Sequence, residues 1–286
     1  MGKHERTKRL ETPDIKAMKG RQRLVGLTAH SKCMAEVVDP YVDLIFVGDA
    51  AAMVCYGHAN TLPMSLELII AHAQAAVRGA KTACVVVDLP FGSYEESPRQ
   101  AFRSAARILA ESGAQAVKLE GGREMRDTVQ FLVDRGIPVM GHIGLMPQYV
   151  NATGGFRTQG REPGGARRLV QDAMALANAG VFAVLIEATC EPVARDISTR
   201  LSIPTIGVGA SPCCDGQVLV TEDMLGLFVD FTPRFVKRYA QLGKQAEQAV
   251  ACYAADVRNR RFPSMEHCFG AASATEALVG TARRGR

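Results

Sequence analysis

Short runs of β-branched and other apolar residues recur along this chain, each followed by a longer stretch with helical periodicity. The runs are "RLVGLTA" (23–29), "LIFVG" (44–48), "ACVVVD" (83–88), "AVKLE" (116–120), "PVMGH" (138–142), "FAVLIE" (182–187) and "PTIGVG" (204–209). Most are continuously apolar rather than alternating, the pattern of strands covered on both faces in a parallel sheet. The segments between them carry helix signals. Ser65 predicts an N-cap and Gly79 a stop; Ser97 predicts a cap, with Pro98 at the first helical position and Gly113 as the stop. An eighth strand is expected within "QVLVTEDMLGLF" (217–228), where the pattern is mixed.

Repeated β–α units over this length predict an α/β fold, a (β/α)8 TIM barrel rather than an open doubly wound sheet. No Gly-x-Gly-x-x-Gly turn follows the first strand, which argues further against a dinucleotide-binding sheet. The expected organisation is a basic arm at 1–22, one catalytic domain at 23–265 and a weakly ordered tail at 266–286. No composition break divides the central part.

Composition changes this picture only at the edges. The formal charge of +5 is concentrated in Lys3, Arg6, Lys8, Arg9, Lys16, Lys19, Arg21 and Arg23 and in a terminal arginine cluster. The basic arm lacks interleaved aromatics and is diluted by Glu5, Glu11 and Asp14, so it reads as a solvated or subunit-covering arm, not a nucleic-acid binder. No apolar run reaches the roughly 18 residues of a membrane span, and no apolar signal core opens the chain. The eight cysteines are scattered, and Cys213–Cys214 lacks zinc-ligand spacing. Reduced thiols in a cytoplasmic protein are expected.

The candidate chemistry lies at strand ends. Asp49 follows the second run, Asp88 closes the third, Lys118 and Glu120 close the fourth, His142 closes the fifth and Glu187 the sixth. In a parallel barrel all such ends face one rim, where barrel active sites lie. One aspartate after a strand is ordinarily a helix cap or a loop residue. Four acids repeating the placement favour a metal–carboxylate site. Carboxylates with water and substrate oxygens suit Mg²⁺, and the cation would offset their mutual repulsion. Lys118 and Glu120, two apart on a strand, share a face, so the lysine could meet a substrate carboxylate while Glu187 acts as a base. His72 reads as a helix-packing residue, His58 is open to either reading, and "GVGAS" (207–211) is either an anion cradle or a tight turn.

In their order, "VGDA" (47–50), "YGHANTLP" (56–63), "DLPFGSY" (88–94), "VKLEGG" (117–122), "GHIGLMPQ" (141–148), "GGFRTQGR" (154–161), "GVGAS" and "CDGQVLV" (214–220) resemble the ketopantoate hydroxymethyltransferase family over about residues 20–265. The resemblance implies a barrel of the phosphoenolpyruvate mutase/isocitrate lyase-like group. It implies hydroxymethyl transfer from 5,10-methylenetetrahydrofolate to 3-methyl-2-oxobutanoate, forming ketopantoate in pantothenate and coenzyme A biosynthesis. It further implies one Mg²⁺ per subunit on Asp49 and Asp88, with Glu120 completing the site through water. The 2-oxo acid would chelate that ion and react as its enolate, with Glu187 as base. Lys118, the backbone at Asp49 and Ala50, and more weakly His142 would contact the substrate. A cytoplasmic homo-oligomer, in the family a decamer, is implied as well.

The chain departs from the family pattern at four places. Ala50 stands where serine is usual, His30 and Ser31 replace an aromatic residue and an acid, and Ala59 replaces an acid. These changes touch substrate contacts rather than the metal or base positions. They motivate two competing readings: a metal-dependent C–C lyase or mutase on another 2-oxo acid, and a non-catalytic barrel serving binding or assembly.

Overall fold

The computed structural model describes residues 6–228 and 232–269. Eight parallel strands close a barrel in sequence order: β1 (Leu24–Thr28), β2 (Leu44–Val47), β3 (Cys84–Asp88), β4 (Ala116–Glu120), β5 (Val139–Gly144), β6 (Ala183–Glu187), β7 (Thr205–Val208) and β8 (Gly216–Leu219), with β8 returning to β1. The expected (β/α)8 barrel is therefore present. The mixed eighth segment forms its strand at its start, one residue earlier than the pattern suggests, and its remainder turns helical.

The helices are α1 (Thr12–Ala17), α2 (Lys32–Val38), α3 (Ala51–Val54), α4 (Leu66–Gly79), α5 (Pro98–Ser112), α6 (Arg126–Val133), α7 (Val150–Thr153), α8 (Pro163–Asn178), α9 (Glu191–Arg200), α10 (Thr221–Leu225) and α11 (Leu242–Arg258). Ser65 and Ser97 cap α4 and α5, their side chains accepting from Leu68 N and Gln100 N at 3.2 Å each. Gly113 ends α5 in the left-handed region at φ 76°. Gly79 works differently from the stop expected of it. It is the last residue of α4 and has no positive φ; a β-carbon there would collide with the Lys32 carbonyl and Ala35. Its smallness lets α2 and α4 cross closely.

Apolar burial is split into two layers. One lies between sheet and helices and includes Val85, Val87, Val117, Leu119, Val184 and Ile186. The other fills the barrel and includes Leu44, Phe46, Cys84, Val86, Met140 and Leu185. Alternate residues of one strand serve the two layers, which is why the runs read as continuously apolar. Ile15 of α1 is fully buried in the interior layer beside Leu24 and Leu44, at the N-terminal end of the barrel. Lys19 pairs with Asp215 at 2.8 Å and Arg6 with Asp43 at 2.6 Å. From Arg6 onward the basic segment is thus packed on its own barrel end and held by ion pairs, where a solvated or subunit-covering arm was expected for residues 1–22. The reason is its apolar content: Leu10, Ile15 and Met18 are spaced to face the barrel. Of the tail expected at 266–286, residues 270–286 lie outside the described residues.

Candidate active site

The inward face of the barrel changes character along its axis. On β3 the inward series is Cys84, Val86, Asp88; on β4 it is Ala116, Lys118, Glu120; on β5 Met140, His142; on β6 Ala183, Leu185, Glu187. The period of two that buries the apolar members at the bottom delivers the charged ones to the top. Register brings them side by side, with Asp88 opposite Lys118 and Glu120 opposite His142. A cavity of about 340 Å³ opens there, lined by Asp49, Ala50, Asp88, Lys118, Glu120, His142 and Glu187. All seven residues expected at the site meet in it.

Asp49 arrives by a different route. β2 ends at Val47, and the chain turns at Gly48 into α3, with Ala51 N–H donating to Gly48 O at 3.1 Å and Ala52 N–H to Asp49 O at 2.9 Å. A β-carbon on Gly48 would sit 3.3 Å from Asp88 Oδ2, so glycine lets the two carboxylate segments approach. The Asp49 N–H donates to that same oxygen at 3.2 Å. Of the two amides expected to meet a substrate carboxylate, Asp49's is therefore engaged, and Ala50 carries the other.

The charges are tightly interlocked. Lys118 Nζ lies 3.1 Å from Asp88 Oδ2 and 3.2 Å from His142 Nδ1. Burial opposes charge on Lys118, but Asp88, Glu120 and Asp49 outweigh it and raise its pKa, so the ammonium persists. Since an ammonium only donates, His142 Nδ1 accepts, and the ring proton sits on Nε2, 3.3 Å from Glu187 Oε2. Burial and Lys118 lower the His142 pKa well below its ordinary value, so the ring is neutral. Burial and the Asp88 charge raise Asp49 to about 6. Burial raises Asp88, and burial with Asp49 raises Glu120 well above the ordinary carboxylate range. Glu187, pushed up by burial to about 7, is poised to exchange a proton near neutrality. The next residue, Ala188, is held at φ 39°, an unusual backbone for alanine that turns the chain away directly after this carboxylate.

The donor set fits a hard divalent cation. Asp88 Oδ1 and Glu120 Oε1 are buried without a hydrogen-bond partner among the described residues. An oxygen lone pair left that way is costly unless a cation or water meets it. An ion held by one or two carboxylates, with water and substrate completing the shell, would meet these atoms.

Two residues that the strand-end pattern does not reveal hold these acids. Gln148, in the short 3₁₀ turn after β5, donates from Nε2 to Asp49 Oδ2 at 2.8 Å and to Leu89 O at 2.9 Å, while its N–H reaches Glu120 Oε2 at 3.0 Å. Tyr94 OH donates to Gln148 Oε1 at 2.7 Å and accepts from Glu120 N–H at 3.2 Å. Both lie inside the motifs "DLPFGSY" and "GHIGLMPQ"; neither is a charged strand-end residue.

The altered positions scatter. Ala50 lines the cavity, Ala59 is exposed, and Ser31 caps α2 by accepting from Met34 N at 3.2 Å. His30 is buried, close enough to Asp88 for its charge to pull that carboxyl's pKa down against the effect of burial. Burial opposes its charge, but Cys55 and Glu222 outweigh that and raise it to about 9. His72 does not simply pack within its helix: Nδ1 bonds the His30 carbonyl at 2.6 Å and Nε2 meets Tyr56 OH at 2.9 Å. His58 is exposed. In "GVGAS", Gly209 is left-handed at φ 61°, and a β-carbon there would collide with the Phe235 ring.

Fold and site together define a (β/α)8-barrel enzyme with an acid–base cluster at its C-terminal rim. Residues 9–265 match the family described as ketopantoate hydroxymethyltransferase. The chain is 58% identical over 269 residues, 94% of its length and 98% of the relative's, to 3-methyl-2-oxobutanoate hydroxymethyltransferase 1 of Pseudomonas aeruginosa (strain UCBPP-PA14). It is 58% identical to the 3-methyl-2-oxobutanoate hydroxymethyltransferase of Brucella canis (strain ATCC 23365 / NCTC 10854 / RM-666), covering 92% of this chain and 96% of that one. This chain belongs to the ketopantoate hydroxymethyltransferase family and is an enzyme of that class. Solved structures share its fold: phosphoenolpyruvate phosphomutase of Streptomyces platensis subsp. rosaceus (TM-score 0.58, 16% identity, 97% of this chain and 100% of that one) and phosphonopyruvate hydrolase (TM-score 0.59, 12% identity, 97% and 100%). These likenesses bear out the barrel fold expected from the sequence.

Proposed function

We propose that the chain forms 2-dehydropantoate from 3-methyl-2-oxobutanoate, with 5,10-methylenetetrahydrofolate as the one-carbon donor and Mg²⁺ as the resident ion. The observation that carries this reading is the convergence of Asp49, Asp88, Lys118, Glu120, His142 and Glu187 on one cavity in a chain of this family. Asp49 and Asp88 would hold the ion, with Glu120 supporting it. Bound there, Mg²⁺ supplies positive charge beside the 2-oxo acid's oxygens, where negative charge grows during the reaction.

The chain's own groups do the rest. Lys118 and the Ala50 N–H bind the substrate carboxylate. Glu187, ionised above about pH 7, takes the C3 proton. Neutral His142 places Nε2 3.3 Å from Glu187 Oε2, near the base but without hydrogen-bond geometry. The electron pair left at C3 forms the new C–C bond to the one-carbon unit as that unit's bonds to the two folate nitrogens break. Water supplies the hydroxyl oxygen, and its remaining proton and the one held by Glu187 go to the nitrogens of the departing tetrahydrofolate. Phe46, Leu185 and Val218 form an apolar floor that keeps bulk water from the reacting carbon.

A homo-oligomeric state is supported by α11. None of its residues is buried, and Val250, Tyr253 and Val257 are exposed along one face. The cysteines are free, which supports a reducing cytoplasmic setting. No described helix is long and apolar enough to cross a membrane.

The test is an assay of purified protein with 3-methyl-2-oxobutanoate, methylenetetrahydrofolate and Mg²⁺. Ketopantoate should form only with all three present. No product above background overturns the proposal, and turnover without a one-carbon donor would replace it with a lyase or mutase reading.

A further inference from the structure

A second group of metal-ligating side chains lies beside the cavity and takes no part in the chemistry above. His30 follows β1, Cys55 caps the C-terminal end of α3, and Glu222 lies in α10 after β8. Since β8, β1 and β2 are neighbours in the barrel, these three rim segments meet. One ligand atom from each residue lies within 4.8 Å of the other two. His30 Nδ1 is 3.6 Å from Glu222 Oε1. That separation is close to the edge of a tetrahedron drawn around an ion with bonds of about 2.0–2.3 Å.

The imidazole is the informative member. His30 is only 5% exposed, and neither ring nitrogen makes a hydrogen bond of normal length among the described residues. Glu222, 3.6 Å away, and Cys55 face it and favour its charged form, so a bound cation would take the place of that proton. A buried imidazole normally finds a partner for at least one nitrogen, because burial without one is costly. Its position is fixed from behind, with His72 Nδ1 bonded to the His30 carbonyl and Tyr56 OH bonded to His72 Nε2. Glu222 is also braced, accepting from Thr28 Oγ1 at 3.4 Å. Cys55 is exposed, so an ion could enter from its side.

We propose that His30, Cys55 and Glu222 form a binding site for a thiophilic divalent cation, Zn²⁺ by donor chemistry, distinct from the carboxylate site in the cavity. Imidazole, thiolate and carboxylate together select zinc over magnesium, which takes oxygen donors. Three protein donors leave a fourth position for water. Thr28, Met53, Val54 and Asp223, near neighbours of these ligands in the chain, line the catalytic cavity. An ion here would pin the segments after β1, β2 and β8 against one another and set the shape of that wall.

The test uses the full chain, stripped with a chelator and held in excess Mg²⁺ so that oxygen sites are filled. Zn²⁺ is titrated in competition with a chromophoric chelator, and Co²⁺ is added separately and followed by absorption. One equivalent of Zn²⁺ should bind, and Co²⁺ should give a thiolate charge-transfer band in the near ultraviolet. Cys55→Ser and His30→Gln should each weaken Zn²⁺ by more than about tenfold and reduce the cobalt band, whereas Asp88→Asn should change neither. In the unmutated chain, Zn²⁺ should protect Cys55 but not the exposed Cys33 from alkylation. Absence of Zn²⁺ binding in excess Mg²⁺, or binding and a cobalt band unchanged by Cys55→Ser, overturns the proposal. Equal alkylation of Cys55 with and without Zn²⁺ overturns it with no variant needed.

Discussion

Glu187 shows how one side chain acquires a catalytic pKa. It ends an apolar strand, so its carboxylate is pushed by desolvation to about 7, and Lys118 pulls the other way without reversing the shift. A base must be ionised to accept a proton, so activity should rise with pH through about 7, and His142, already neutral, should add no second limb below it. The kcat profile between pH 5.5 and 8.5 checks this. Glu187→Gln should lower kcat by about 10²–10⁴-fold with a smaller change in KM, and the acidic limb should vanish. A variant with wild-type kcat would remove Glu187 from the chemistry. Ala50 poses the complementary question. Its methyl group lines the cavity, next to the amide assigned to the substrate carboxylate. Ala50→Ser restores a hydroxyl at that point, and one added hydrogen bond of about 0.5–1.5 kcal/mol should lower KM for the 2-oxo acid by roughly 2–10-fold at similar kcat. A large loss of activity would mean that the wall is shaped around alanine.

The loops after β3 and β5 matter as much as the strands they follow. Tyr94 and Gln148 reach across from these loops, and together they join the Asp49 and Glu120 carboxylates into one rigid frame. Gln148→Ala would remove two side-chain N–H donors and leave the Tyr94 hydroxyl with only the more distant Glu120 carbonyl, at 3.3 Å, as acceptor. Stability should fall by about 1–3 kcal/mol, and Mg²⁺ affinity by roughly 10–100-fold because the acids lose their orientation. Denaturant unfolding and calorimetric titration would measure the two effects separately. Strands and charged strand ends were legible because barrel geometry forces the alternation that carries Val86 into Asp88 and Ala116 into Lys118 and Glu120. Gln148 and Tyr94 were not legible as site residues. A neutral amide and a phenol on loops carry no periodic signal, and their role depends on contacts between segments 54 residues apart. Gly79 was legible as the end of α4 but not for its reason: glycine at a helix end signals a stop locally, while here the demand for it comes from α2 crossing close by.

At the scale of the molecule, the barrel is closed by apolar packing at one end and holds concentrated charge at the other. Ile15 is the fully buried residue that closes the first end, with Leu10 and Met18 packed against the same layer, and Ile15→Ala should cost about 2–5 kcal/mol by leaving a void there. A loss under 1 kcal/mol in chemical unfolding would mean that α1 is only loosely docked. The charged end has the opposite effect on stability. Asp49 is raised to about 6, and Asp88 and Glu120 are raised as well, so folding disfavours their ionised forms. A carboxyl group whose pKa is raised by folding gives its stabilisation below its unfolded value near 4. That stabilisation is lost as pH rises through the folded value. The metal-free protein should therefore lose part of its stability between about pH 4 and 6 through Asp49, with Asp88 and Glu120 acting in the same direction. A divalent cation binds the ionised forms, so its stabilisation should run the other way, small at pH 5 and large at pH 8. At a hundred times its Kd, the ion adds about 2.7 kcal/mol, roughly 5 °C or more in Tm for a domain of this size. Thermal unfolding with and without Mg²⁺ at pH 5 and pH 8 checks this, and Asp88→Asn should abolish the shift at pH 8 while leaving a cooperative transition. An equal Mg²⁺ shift at both pH values, or one that survives in Asp88→Asn, would place the ion away from these carboxylates.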